Sequence, residues 1–172
     1  GLIIGQDVSN YQSLYKRIIE AFNNEFKDNY KTQTEHVLAL AFDITKNPNQ
    51  VIESLVKLIR DDGDKLQTGF VGTPYMLHVL SRYGYSELAY TLLLRKDYPS
   101  WIYPITKGAT TIWEHWDGIK PDGEMWSSDM NSFNHYAYGA VIDWVYAVCG
   151  GINPVKASPG YEKVLISPIS DS

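Results

Sequence analysis

Apolar residues recur at three- and four-residue spacing through residues 8–93, the period of amphipathic helices. Val8, Tyr11, Leu14, Tyr15, Ile18, Ile19, Phe22 and Phe26 mark one face of a first helix, with Asp7 or Ser9 able to cap its start. Thr32, Gln33, Thr34 and Glu35 have the form of a capping box and open a second helix carrying Val37, Leu38, Leu40, Ala41 and Ile44. Asn47 followed by Pro48 opens a third, with Ile52, Leu55, Val56 and Ile59 on its face and Gly63 to end it. Thr73 and Pro74 open a fourth that stops at Gly84, and Ser86 opens a fifth through Ala89, Leu92 and Leu93. The joins are short, so neighbouring helices are expected to be antiparallel hairpins.

The helical period stops at residues 96–130, where Gly, Pro, Asp and Trp punctuate the chain. A loop this long in a compact domain is usually functional or disordered. It holds four of the five tryptophans, Trp101, Trp113, Trp116 and Trp126, and disordered segments are poor in aromatics. Helix is expected again from Ser132, with Phe133, Ala137, Ala140, Val141, Trp144 and Val148 on its buried face and Gly150 and Gly151 to stop it. Lys163, Val164, Leu165 and Ile166 read as one strand with no obvious partner. It is expected to be unpaired or to pair with another chain.

Composition narrows the function. The 172 residues contain 44% apolar residues, enough for a packed core, and their net charge is −5. Acids and bases alternate without a basic stripe, which argues against nucleic acid, and the acidic balance favours a neutral ligand over an anionic one. Thirteen tyrosines and five tryptophans are a rich supply. Such amphipathic rings suit a carbohydrate site, although they also fill helical cores. A single cysteine, Cys149, rules out an internal disulfide and reads as a buried thiol. No apolar run is long enough to span a membrane. No signal peptide is visible, but the start at Gly1 leaves the compartment open between cytoplasmic and secreted, with the former slightly favoured.

The aromatic loop also carries Glu114, Asp117, Asp122, Glu124 and Asp129. Glycoside hydrolysis generally uses two carboxyl groups, one as acid and one as base or nucleophile. Glu114 lies between Trp113 and His115, and apolar walls can raise a carboxyl pKa and exclude water. A structural role stays open for it, as for any lone acid. Asp117 with Gly118 and Asp122 with Gly123 read as turns. Asp129, Asn131 and Asn134 read as loop and cap residues. His135 is placed in the first turn of the last helix, where a neutral imidazole could donate to a sugar hydroxyl or serve structure. His36 and His78 stand singly, and no His, Cys and Asp spacing marks a metal site. Met76, Met125 and Met130 read as packing. Gly69, Phe70, Val71 and Gly72 lack the lysine of a phosphate loop, and no serine sits in a nucleophile elbow.

Several spaced motifs occur together. Thr68, Gly69, Phe70, Val71, Gly72, Thr73 and Pro74 are followed by Gly84 with Tyr85, Ala89 with Tyr90, and Tyr98, Pro99, Ser100 and Trp101. GATTIWEHWDG then occupies residues 108–118 and NSFNHYAYGA residues 131–140, before Pro159, Gly160 and Tyr161. In this order they resemble the bacterial α-L-rhamnosidases of glycoside hydrolase family 78, most clearly over residues 68–168. The resemblance implies a mainly α fold, the second half of an (α/α)6 toroid of helical hairpins. Residues 1–152 would be the partial toroid, and residues 153–172 a linker and the first strand of a following β-sandwich. It implies inverting hydrolysis of terminal α-L-rhamnose from glycosides, without a cofactor. Glu114 would be the general base, His135 a sugar contact, and Trp101 and Trp113 part of the pocket.

The family's general acid lies in an earlier Asp-, Arg-, Glu- and Trp-rich segment that is not found here. The chain alone is therefore expected to be inactive. Its open flanks, at the helix of Phe22 and Phe26 and at that of Trp144 and Val148, would self-associate or pair with the missing half. Two alternatives stand beside this reading. Another toroid glycosidase or lyase would release a different sugar. A non-catalytic carbohydrate-binding or interaction domain would bind without turnover.

Overall fold

The computed structural model of the chain describes residues 5–129, 131–158 and 160–171. The packing role expected of Met130, and Pro159 in the closing motif, lie outside the described residues. Five helices come first: α1 (Ser9–Phe26), α2 (Gln33–Ala41), α3 (Pro48–Asp61), α4 (Thr73–Arg82) and α5 (Ser86–Leu94). A one-turn α6 (Ile102–Thr106) interrupts the long loop. A composite helix then runs through a 3-10 turn (Ala137–Ala140), α7 (Val141–Trp144) and a π turn (Val145–Cys149). Two short strands close the chain, β1 (Ile152–Pro154) and β2 (Val164–Ile166). None of the described helices is long and apolar enough to cross a membrane.

Local chemistry sets several boundaries. The Thr32 hydroxyl accepts from the Glu35 N–H at 3.2 Å, and the Glu35 carboxylate accepts from the Thr32 N–H at 2.7 Å, a complete capping box. The N–H groups of Lys31 and Thr32, both donating to the Glu35 carboxylate, hold it below its ordinary value. Asp7 accepts from the Ser9 N–H at 2.9 Å at the start of α1. Asn47 does not cap α3 through its side chain, which donates instead to Asp28 at 2.7 Å. Gly84, at φ +87°, ends α4 in the left-handed region that suits glycine.

Two hairpins form the core. Helices α2 and α3 pack together, α4 packs on α5, and α2 against α4 joins the pairs. Leu40, Leu55, Ile59, Met76, Leu80, Leu88 and Leu92 are fully buried between them. Each such side chain contributes about 1.5–3 kcal/mol by burial, so these hairpins carry the stability. His36 is buried with them, its ring nitrogens 2.7 Å from the Thr32 carbonyl and 2.9 Å from the Ser54 hydroxyl, a structural histidine. Trp144 brings the composite helix onto α4, its indole N–H donating to the Ser81 hydroxyl at 2.9 Å.

Two expectations change. Helix does not begin at Ser132 but at Ala137, because residues 132–135 pair with the loop rather than coil. The strand near the end is not alone. Residues Val164–Ile166 pair antiparallel with Ile152–Pro154 of the same chain, Ile152 opposite Ile166. Trp144 faces the core as expected, being 1% exposed, while Ile142 and Tyr146 on the outer side of that helix are exposed apolar residues. On α1, by contrast, Tyr11, Leu14, Tyr15, Ile18 and Phe26 are exposed, and Asn23 is the one residue it buries among those described. The periodic stripe makes α1 a helix, but the described residues do not cover it.

Candidate active site

The loop between α5 and the composite helix is organised by one long-range pairing. Residues 111–114 run antiparallel to residues 132–135. The Glu114 N–H donates to the Ser132 carbonyl at 2.9 Å and the His135 N–H to the Ile112 carbonyl at 2.8 Å. The Thr111 hydroxyl donates to the Phe133 carbonyl. The Ser132 N–H donates to Glu114 Oε2 at 2.9 Å, so the side chain is gripped by the segment that grips its backbone. Glu114 is half-buried.

Behind this pairing lies a cavity of about 50 Å³ walled in part by Trp101, Thr111, Trp113, His115, Trp116 and Tyr138. Ligand pockets generally measure roughly 300–1,000 Å³, so the space is a backing to the site and too small for a sugar ring. Trp101 and Trp113 belong to its wall and are both buried. The Trp101 indole donates to the Tyr138 carbonyl at 2.9 Å and meets Trp116 edge-on at 5.2 Å. Trp116 stacks on Tyr138 at 3.8 Å and 14°. Burial pushes the Tyr138 phenol up to about 12, so it keeps its proton at neutral pH. Trp113 meets Phe133 edge-on at 5.1 Å across the paired segments.

Of the four residues singled out in the sequence, Trp101 and Trp113 share the cavity wall. Glu114 and His135 do not line it; the pairing of their segments joins them instead. His135 precedes the 3-10 turn rather than lying within a helix. Its ring is sandwiched between Phe70, at 4.7 Å and 12°, and Tyr136, at 5.3 Å and 8°. Its Nδ1 accepts from the Ala137 N–H at 3.3 Å, which in the neutral ring puts the proton on Nε2. That nitrogen can donate to a hydroxyl.

Sequence reasoning gave His115 and Trp126 no individual role and read Asn131 as a loop or cap residue. His115 stacks on Trp126 at 3.6 Å and 16°. Its Nε2 and the Asn131 Oδ1 are buried without hydrogen-bond partners among the described residues. The Asn131 amide donates to the Gly118 carbonyl at 2.8 Å, tying the two sides of the loop again. A tryptophan directly before a Ser-Ser-Asp run was the only signal for this arm. Among the described residues no group of three His, Cys, Asp or Glu could hold a metal ion.

The sequence profile of the bacterial alpha-L-rhamnosidase 6 hairpin glycosidase domain matches residues 2–149. The chain is 43% identical to an alpha-L-rhamnosidase of Streptomyces avermitilis, over 96% of this chain and 16% of that protein. It is 41% identical to one of Formosa agariphila, over 95% of this chain and 18% of that protein. Its fold superposes with a TM-score of 0.91 on the crystal structure of the Streptomyces avermitilis alpha-L-rhamnosidase complexed with L-rhamnose, 42% identical, covering 98% of this chain and 17% of that one. The Aspergillus terreus alpha-L-rhamnosidase gives a TM-score of 0.88 at 34% identity, covering 95% of this chain and 20% of that one. The chain thus spans less than a quarter of the length of these relatives. With a helical hairpin scaffold matched throughout, the chain belongs to the bacterial α-L-rhamnosidase six-hairpin glycosidase family.

Proposed function

We propose that this chain supplies the general base of an inverting α-L-rhamnosidase, and that the base is Glu114. The observation that carries this reading is the grip on its carboxylate. The Ser132 N–H fixes Oε2, and Oε1 is the oxygen offered to the attacking water. In inversion that water stands between the base and the anomeric carbon, with the two carboxyl groups roughly 6.5–9.5 Å apart. Glu114 takes a proton from the water as its oxygen bonds to the anomeric carbon. The leaving oxygen is protonated from the opposite side by an acid that belongs to a part of the domain outside these residues. His135 donates from Nε2 to a hydroxyl of the rhamnosyl ring. Trp101 and Trp113 form the wall that holds the Glu114 segment in place. The substrate is a glycoside ending in α-L-rhamnose, and the chain alone needs the remainder of the catalytic domain for turnover.

The test follows the anomer first formed. The protein as encoded by its natural reading frame, given an aryl α-L-rhamnoside and watched by proton NMR, is expected to release β-L-rhamnose before mutarotation. Release of the α anomer first would remove the inverting mechanism. Release of another sugar, or none, would remove the substrate assignment.

A further inference from the structure

Residues 118–126 form a small hairpin arm beside the Glu114 segment. Ile119 and Met125 form a bridge, the Lys120 N–H donates to the Glu124 carbonyl at 2.7 Å, and the Trp126 N–H returns to the Gly118 carbonyl at 3.0 Å. The arm is tied down from outside: Tyr103 donates to the Ile119 carbonyl at 2.8 Å and Lys107 to the Pro121 carbonyl at 3.1 Å. Its base has no slack, since a Cβ at Gly118 would lie 3.0 Å from the Trp113 ring. At its base, opposite Gly118, the arm presents Trp126, 40% exposed, with His115 stacked on one face of the indole. Among the described residues that imidazole is its one aromatic partner.

We propose that Trp126 is a sugar-stacking residue: its outer face receives the apolar face of the terminal rhamnosyl ring, with His115 as the backing of the platform. This rests on the assignment of Glu114 as the base. An indole held by a braced arm loses little freedom on binding, which is what a stacking platform needs. His115 keeps a buried nitrogen without a partner to stand behind it, and unsatisfied groups of this kind call for a functional reason. His115 directly follows Glu114 in the chain. In an inverting site the base and the leaving group lie on opposite faces of the anomeric carbon. A platform attached to the base side therefore meets the glycone and not the leaving group.

The experiment uses the protein as encoded by its natural reading frame, with Trp126→Ala and Trp126→Tyr. Two readouts are taken: Kd for free L-rhamnose by calorimetry, and kcat and KM on two rhamnosides with different leaving groups. Trp126→Ala is expected to weaken L-rhamnose about tenfold, a change of about 1.4 kcal/mol. KM should rise by a similar factor for both substrates, with kcat changed little. Trp126→Tyr is expected to recover most of the affinity, which separates stacking from loss of fold. Unchanged L-rhamnose affinity in Trp126→Ala overturns the inference, as does a rise in KM confined to one leaving group. If the unsubstituted protein releases no rhamnose, the functional assignment itself fails; activity with an indifferent Trp126 sinks this inference alone.

Discussion

The Ser132 N–H and the Glu114 carboxylate are 2.9 Å apart, eighteen positions apart in sequence, and face each other across a pairing that also joins their backbones. A glutamine at 114 retains an oxygen able to accept the same N–H. Glu114→Gln is therefore expected to keep the melting temperature within a degree or two while removing the base. A general base contributes about 10²–10⁴-fold, and kcat on an aryl rhamnoside should fall by that order. Retained turnover would move the role to Asp117 or Asp129.

The His135 imidazole makes one hydrogen bond, from the Ala137 N–H, and two ring stacks, none of them deep in the helical core. His135→Ala is expected to raise KM for a rhamnoside more than it lowers the melting temperature. His135→Gln, which keeps a donor but loses the stack on Phe70, should fall between the two. If His135→Ala does not fold at all, the imidazole is structural and the sugar contact lies elsewhere.

Gly118 sits where a methyl group would meet the Trp113 ring at 3.0 Å and the Asn131 Oδ1 at 3.1 Å. Overpacking of this kind costs about 1–3 kcal/mol. Gly118→Ala should lower the urea midpoint, and it should displace the arm and the Glu114 segment together. Urea titration by tryptophan fluorescence reads both, because Trp113 and Trp126 report on the two sides. No change in either would mean the base of the arm has slack.

The capping box of α2 predicts a pH signature. Backbone N–H groups of Lys31 and Thr32 hold the Glu35 carboxyl below its ordinary value. A depressed carboxyl contributes stability that is fully present above its unfolded pKa and is lost as pH falls through the folded one. Glu35→Ala should therefore cost stability at pH 7, with a penalty that shrinks as pH falls below the ordinary glutamate value of about 4.3 and vanishes below the lower folded one. Thr32→Ala, which removes the reciprocal hydroxyl, should cost about 0.5–2 kcal/mol. Thermal melts of both variants from pH 7 to pH 3 check the pair; a penalty for Glu35→Ala that persists undiminished in acid would exclude the charged cap.

Signals complete within a few residues were legible in the sequence. The capping box at Thr32 and the proline starts at Pro48 and Pro74 opened helices where the sequence places them. The unread parts are made by partners distant in sequence. Ser132 has the residue type of a cap, but its backbone is engaged by Glu114, so no helix starts there. Ile152–Pro154 follows two glycines and contains a proline, features that disguise an edge strand, so the partner of Val164–Ile166 was missed. In the site, a Trp-rich stretch around one glutamate announced the location of an aromatic cluster. It did not announce that Trp101 and Trp113 would face one cavity while Glu114 and His135 met through a pairing of their backbones. His115 and Asn131 carried no signal, because a buried atom without a partner is a property of the folded surroundings.

The pairing of residues 111–114 with residues 132–135 has an evolutionary corollary. It makes a neck, and the arm of residues 118–126 lies between its two sides, within a loop whose ends are already joined. Lengthening or shortening the tip of the arm near Pro121 and Gly123 costs little closure entropy, since each doubling of a loop adds only about 0.6 kcal/mol. The candidate base would keep its place while the tip was rewritten. Descendants of this chain could therefore acquire new preferences by insertion at the tip without renegotiating the position of Glu114.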